Sequence, residues 1–197
     1  VDAGLVSGPT IGGLSGLIKN RKIGQVWISQ NLQPEIESRI AFNLLSKLPI
    51  YQVHKGDHIQ VSTKTDIISI HVLWPDFTRE SFGSVPGSGS EINNSSIALS
   101  ITAPNFSLFA GGDIEPQVQS LLLPLIHRVD IYKVSHHGSR YQSEEFMAQL
   151  SPKISLISVG RRNPYGHPAA ETIASLTRLG SKIFRTDRDG NVAIKVE

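Results

Sequence analysis

At 197 residues and 39% hydrophobic content, the chain suits one globular domain with a sizeable core and is too apolar for a disordered one. It contains no cysteine, which excludes disulfide partners and thiolate metal sites and leaves histidine and carboxylates as the strong metal ligands available. A net charge of +2 with a pI near 8.9 is compatible with a polyanionic ligand, but it is far from the basic stripe of a dedicated nucleic-acid module.

The longest apolar runs fall short of the roughly 18 residues a membrane span needs. Val1 to Gly4 shows no basic region ahead of an apolar core, so no signal peptide is read there. The chain starts without Met and enters strand-like sequence at once, so the expectation is a domain excised from a longer protein.

In chain order, Val1 to Ser7 reads as a short strand, broken by Gly8-Pro9. Ile11, Leu14, Leu17 and Ile18 recur at helical spacing up to Asn20. Gln25 to Ser29 is a second strand. A longer helix opens at Pro34 and carries Ile36, Ile40, Leu44, Leu45 and Leu48 on one face. Tyr51 to Val53 and Ile59 to Val61 are short strands, and Ile68, Ile70, Val72 and Trp74 alternate as in a half-buried strand.

Residues 75–91, rich in Pro, Gly and Ser, form a long loop that reads either as a substrate-side flap or as a tolerated surface insertion. Ile97 to Ile101 and Phe106 to Ala110 predict a hairpin. Val118, Leu121, Leu122 and Leu125 predict a helix, ended or kinked by Pro124. Strands and helices then alternate: strand 129–135, helix 144–150, strand 154–159 and helix 169–179. Lys182 to Arg185 and Asn191 to Val196 flank Asp187-Arg-Asp-Gly190, which predicts a terminal hairpin. Strands covered by helices make a layered α/β protein, a single domain over 1–197.

Three of these strands end in glycine plus a side chain able to bind a metal or move a proton. Asp113 follows Gly111-Gly112; it reads either as a helix N-cap or as a metal-binding carboxylate that the glycines let a ligand approach. His136 and His137 sit in Lys133-Val-Ser-His-His-Gly-Ser139, where a turn can aim both rings at one cavity. One can ligate while the other exchanges a proton; alternatively they are polar turn residues with a ring bonded to backbone. His167, in Asn163-Pro-Tyr-Gly-His-Pro168, precedes a helix N-terminus that favours an anion, or else caps that helix. Together these residues describe a site on the rim of an α/β sheet, with a nitrogen and oxygen donor set suited to Zn²⁺ or Mn²⁺.

The order Gly-Gly-Asp113-Ile-Glu, Lys133-Val-Ser-His-His-Gly-Ser139, Asn163-x-Tyr-Gly-His167-Pro and Arg185-Thr-Asp-x-Asp-Gly190 resembles the C-terminal metallo-β-lactamase-like domain of the ComEC family of competence channel proteins. Asn93-Asn94 ahead of a strand and Ile11-Gly-Gly-Leu14 opening the first helix also fit, so the resemblance covers nearly the whole chain. It implies an αββα sandwich, shortened at the N-terminus. It further implies metal-dependent phosphodiesterase or nuclease activity on DNA during transformation. Asp113 and His137 would then bind metal, His136 and His167 would act as catalytic groups, and Asn94, Ser139, Arg140 and Asn163 would contact substrate. The implied partners are the DNA phosphate backbone and the transmembrane channel portion of a parent protein. The implied location is a soluble domain of a bacterial plasma-membrane protein, on its outer face, with a cytoplasmic placement as the alternative.

One departure is large. Active members of that superfamily carry a cluster of His and Asp ligands just before the Ile-Gly-Gly-Leu helix. Here Val6 to Thr10 contains no His, Asp or Glu. A catalytic zinc usually has three protein ligands and a water. A second expectation therefore stands beside the enzyme: a degenerate, metal-free domain that contacts DNA or the channel through Lys133, Arg140, Arg161, Arg162, Arg185 and Arg188. A third is a stand-alone small-molecule metallohydrolase of the same fold.

Overall fold

The computed structural model describes residues 14–31, 35–76, 78 and 90–195. The expected strand at Val1 to Ser7, the start of the first helix at Ile11, Pro34 and most of the loop 75–91 lie outside the described residues.

Strand order in the main sheet follows chain order. β3 (His58–Ser62), β4 (Ile67–Trp74), β5 (Ala98–Ala103), β6 (Phe106–Ala110), β7 (Ile131–Lys133), β8 (Ile154–Ile157) and β9 (Lys182–Arg185) lie side by side. Pairing from β3 to β6 is antiparallel, as short hairpin connections allow. Pairing from β6 to β9 is parallel, because a helix returns the chain between each pair of strands. These crossovers contain α4 (Pro116–Leu122), α5 (Glu144–Leu150) and α6 (Ala170–Arg178). Pro124 falls in a single 3₁₀ turn just after α4, which ends where that proline predicts. Ser143 caps α5 by accepting the Phe146 N–H, and Glu144 and Glu145 follow in the first turn, where the helix dipole favours them.

The alternation of the strands, broken by an irregularity between Val72 and Trp74, separates two apolar faces. On one face, Trp74, Phe109, Tyr132 and Ile157 pack against Val118 and Leu122 of α4, Phe146 and Leu150 of α5, and Leu176 of α6. The Phe109 and Phe146 rings meet edge to face at 5.3 Å. Each such large side chain contributes roughly 1.5–3 kcal/mol by leaving water. On the other face, Val72, Leu99 and Ala110 pack with Trp27 and Val53. These last two come from a smaller unit, the parallel pair β1 (Val26–Ile28) and β2 (Ile50–Gln52) joined by α2 (Glu35–Leu45), with α1 (Leu14–Asn20) packed on α2. The result is the mixed α/β layering expected from sequence, with helices on one face of a seven-stranded sheet and a second sheet, two-stranded among the described residues, on the other.

The terminal hairpin is corrected. Thr186–Asp189 form one helical turn, α7, and β9 pairs in parallel with β8. Polar side chains outcompete the Asp-Gly turn signal there. Asp189 Oδ2 accepts the Arg185 N–H at 2.8 Å. Thr186 Oγ1 accepts the Val159 N–H and donates to the Val159 carbonyl, both at 2.8 Å, which docks the turn on the end of β8. Gly190, at φ 72°, ends α7 instead of closing a hairpin.

Candidate functional site

Because β6 to β9 are parallel, their carboxyl ends open on one edge, where ligands bind in open α/β sheets. Asp113 follows β6, His136 and His137 follow β7, and Asn163 and His167 follow β8. One short 3₁₀ segment (residues 135–138) presents the histidine pair. His136 (φ 46°) and His137 (φ 53°) both adopt left-handed backbone, followed by Gly138 at φ 75°. Such a conformation costs a non-glycine residue roughly 1–2 kcal/mol, so the surroundings must hold it. His136 N–H donates to the Gly112 carbonyl at 2.9 Å, Ser139 N–H to the His136 carbonyl at 2.8 Å, and Ala169 N–H to the Gly138 carbonyl at 2.8 Å. Strain concentrated at two adjacent histidines points to a functional constraint.

The turn gathers three imidazoles. Ring centroids lie 5.2 Å apart for His136 and His167, and 6.5 Å for His136 and His137. His137 Nδ1–H donates to the Ser158 carbonyl at 2.7 Å, which turns Nε2 toward Asp113 Oδ1 at 3.6 Å. His136 Nδ1 lies 3.3 Å from Glu115 Oε1, within ion-pair reach, and Glu115 is fully buried. Burial pushes the His167 imidazole below its usual range, aided by the neighbouring His136 and His137 and opposed by Asp113.

Asp113 is not a helix cap: Glu115 holds the N-cap position of α4, without a side-chain cap bond. His167 is not one either, since Ala169 occupies the N-cap position of α6.

Of the residues expected at substrate, Arg140 is exposed and within electrostatic reach of His167. The others face inward or brace loops. Asn94 is buried; its Oδ1 accepts the Glu115 N–H at 2.7 Å, and its Nδ2 donates to Gln117 Oε1 at 3.2 Å. Ser139 is buried, its hydroxyl accepting the Tyr141 N–H at 3.1 Å. Asn163 Oδ1 accepts the Tyr165 N–H at 2.8 Å, and its Nδ2 donates to the His167 carbonyl at 3.2 Å. These three amide and hydroxyl groups shape the rim on which the histidines sit.

The expected cation set is also corrected. Lys133 Nζ is buried with no hydrogen-bond partner; burial lowers its pKa, and only the charge of Asp113 opposes that. Arg185 is engaged in a two-point pair with Asp187, at 3.0 and 2.6 Å, and Arg188 pairs with Asp189 at 2.9 Å. Arg140, Arg161 and Arg162 are the cations of that set that remain exposed at the β7 and β8 ends.

Glu115, beside His136, is not singled out by the sequence reading, although it stands in the motif two residues after Asp113.

A divalent metal can be tested against these donors. Asp113 Oδ1 is buried without a hydrogen-bond partner and faces His137 Nε2, so one carboxylate and one imidazole converge. Among the described residues, no group of three or more His, Asp or Glu is placed to share an ion. Residues 1–13 hold a single acid, Asp2, and no histidine. Among the described residues, the donor set does not fit a catalytic zinc.

Against known proteins, the chain matches ComE operon protein 3 of Bacillus subtilis at 29% identity over 187 residues, 92% of this chain and 22% of that protein. It matches Recombination protein 2 of Haemophilus influenzae at 27% identity over 103 residues, 52% of this chain and 13% of that protein.

The chain resembles ComEC over most of its length.

It spans about a fifth of the length of the Bacillus relative. No family model matches. Among solved structures, it resembles one titled a metal-dependent hydrolase, from Parabacteroides distasonis, with TM-score 0.46, 14% identity, and coverage of 83% of this chain and 76% of that one. A mutant of the CmlA beta-hydroxylase gives TM-score 0.48 and 11% identity, covering 83% of this ComEC-like chain and 43% of that one. Both scores fall below one half. No helix among the described residues of the domain is long and apolar enough to cross a membrane.

Proposed function

We propose that this ComEC-like domain serves DNA uptake by holding the DNA phosphate backbone at the carboxyl ends of β6 to β8, without metal-dependent cleavage. The observation that carries this reading is the packing of three imidazoles, with centroids 5.2 and 6.5 Å apart, beside exposed arginine at a rim whose acids are buried below. A phosphate oxygen can accept N–H hydrogen bonds from these partly buried rings, and its negative charge would oppose the lowering that burial imposes on His167. The short donor set among the described residues supports the second half of the reading, because a catalytic zinc usually takes three protein ligands and Asp113 with His137 supplies two. His136 and His167 then bind phosphate oxygens instead of passing protons to a leaving group. The transmembrane channel portion of a longer protein is the proposed neighbour, and the outer face of a bacterial plasma membrane the proposed location.

The test is equilibrium binding of DNA by the purified 197-residue chain across a salt series, together with metal analysis and a nuclease assay in Mn²⁺ and Zn²⁺. Binding should weaken linearly in log–log salt, and the slope should fall by about 0.7 for each phosphate contact removed from a single strand. Removing Arg140, Arg161 and Arg162 together should therefore flatten it by about 2. Stoichiometric metal, with DNA cleavage abolished by His137→Ala, would overturn the metal-free reading. Absence of any salt-dependent binding would overturn the phosphate site.

A further inference from the structure

Tyr165 is 81% exposed, the most exposed of the large hydrophobic side chains described. A lone exposed aromatic is common and needs no explanation. This one is braced and sits at the site. Asn163 Oδ1 holds its backbone N–H at 2.8 Å, and the same Asn163 amide holds the His167 carbonyl at 3.2 Å, so ring and imidazole are carried by one turn. The Tyr165 and His167 rings are 6.0 Å apart and inclined by only 32°. Exposed Arg161 and Arg162 precede it in the same loop. A flat ring left bare in water, 6.0 Å from a site imidazole and preceded in its own loop by two exposed arginines, combines the two elements that single-stranded nucleic-acid sites use: an aromatic face for a base and cations for the backbone.

We infer that Tyr165 is a stacking platform for an unpaired base, so that the rim distinguishes single-stranded from duplex nucleic acid. This rests on the phosphate-binding reading above and adds a determinant of strand state to it. In a duplex the base faces are occupied by their neighbours, and Tyr165 has nothing to stack on. Only the phosphate contacts would then operate.

The experiment is fluorescence anisotropy with a single-stranded oligonucleotide, the same strand in duplex form, and a single strand of abasic sites, on the 197-residue chain and its variants. Tyr165→Ala should weaken binding of the ordinary single strand by about tenfold, within the range seen for loss of one stacked base. It should leave duplex and abasic-strand binding within about twofold and the salt slope unchanged, because stacking releases no counterions. Tyr165→Phe should retain single-strand binding. At 81% exposure the substitution removes little packing, and a circular dichroism melt checks that the variant is folded. Equal loss on single strand and duplex, or no loss on either, overturns the inference while leaving phosphate binding intact. If the wild-type chain binds neither form, the phosphate-binding reading fails, and this inference fails with it.

Discussion

Replacing Asn94 with alanine distinguishes a residue that touches ligand from one that builds the loop beneath the site. Asn94 Oδ1 accepts the Glu115 N–H at 2.7 Å in a buried setting, and its Nδ2 donates to the half-buried Gln117 Oε1 at 3.2 Å. Each bond contributes about 1 kcal/mol net, and removing the acceptor of a buried N–H adds about 1–3 kcal/mol. Asn94→Ala should therefore lose at least about 3 kcal/mol, the lower end of that sum. For a domain of this size that corresponds to a fall in Tm of roughly 6–12 °C. Urea denaturation followed by Trp fluorescence measures the loss, since Trp74 donates its indole N–H to the Asn94 carbonyl at 2.6 Å and reports on this loop. DNA binding, measured well below the lowered midpoint, should stay within about twofold of wild type. A variant as stable as wild type to within about 0.5 kcal/mol, but impaired in DNA binding, would refute the loop-building role and return Asn94 to the ligand.

Gly138→Ala should destabilise by about 3 kcal/mol in the same urea assay. At φ 75° an added methyl is strained, and it would lie 2.7 Å from the Pro168 Cβ. Gly160→Ala, where the added methyl meets nothing within 4 Å, is the matched control and should change stability by less than about 0.5 kcal/mol. Lys133→Met should raise stability at neutral pH, because burial pushes the lysine pKa below its unfolded value and the charged form is the one penalised. A lysine with a depressed folded pKa costs stability at all pH below that value. The cost vanishes as pH rises through the folded pKa toward the unfolded value of about 10.4. The advantage of the methionine variant should shrink over that window, as read by melts from neutral to alkaline pH. An advantage that stays constant, or a loss of stability at neutral pH, would count against an uncompensated Lys133 charge.

The strand ends that form the site were legible because local chemistry and fold agree there. Gly111-Gly112-Asp113, His136-His137-Gly138 and the Asn163 to Pro168 turn each follow an apolar run, and parallel strands bring such ends to one edge. The direction of each side chain was not legible. Ser139 and Asn94 look like ligand contacts in a motif, yet the surrounding backbone claims their hydrogen-bonding groups. Arg185 and Lys133 look like surface cations; one is paired with Asp187, and the other has its ammonium group buried. The terminal Asp-Gly hairpin was misread for a related reason. Turn propensity is local, whereas the Thr186 hydroxyl is satisfied by Val159, 27 residues away in the chain.

By itself, the sequence determined the alternation of strands and helices, the three chemical punctuation marks at strand ends and the lack of His, Asp and Glu from Val6 to Thr10. Periodicity, glycine placement and residue identity are properties of short stretches of chain. Only the tertiary structure decided which of those side chains share a surface. It closed His136, His137 and His167 into one cluster, set Glu115 behind His136, buried Lys133 and left Tyr165 bare. Those outcomes depend on the register of β6 to β8 and on left-handed backbone at two histidines, which no local pattern specifies.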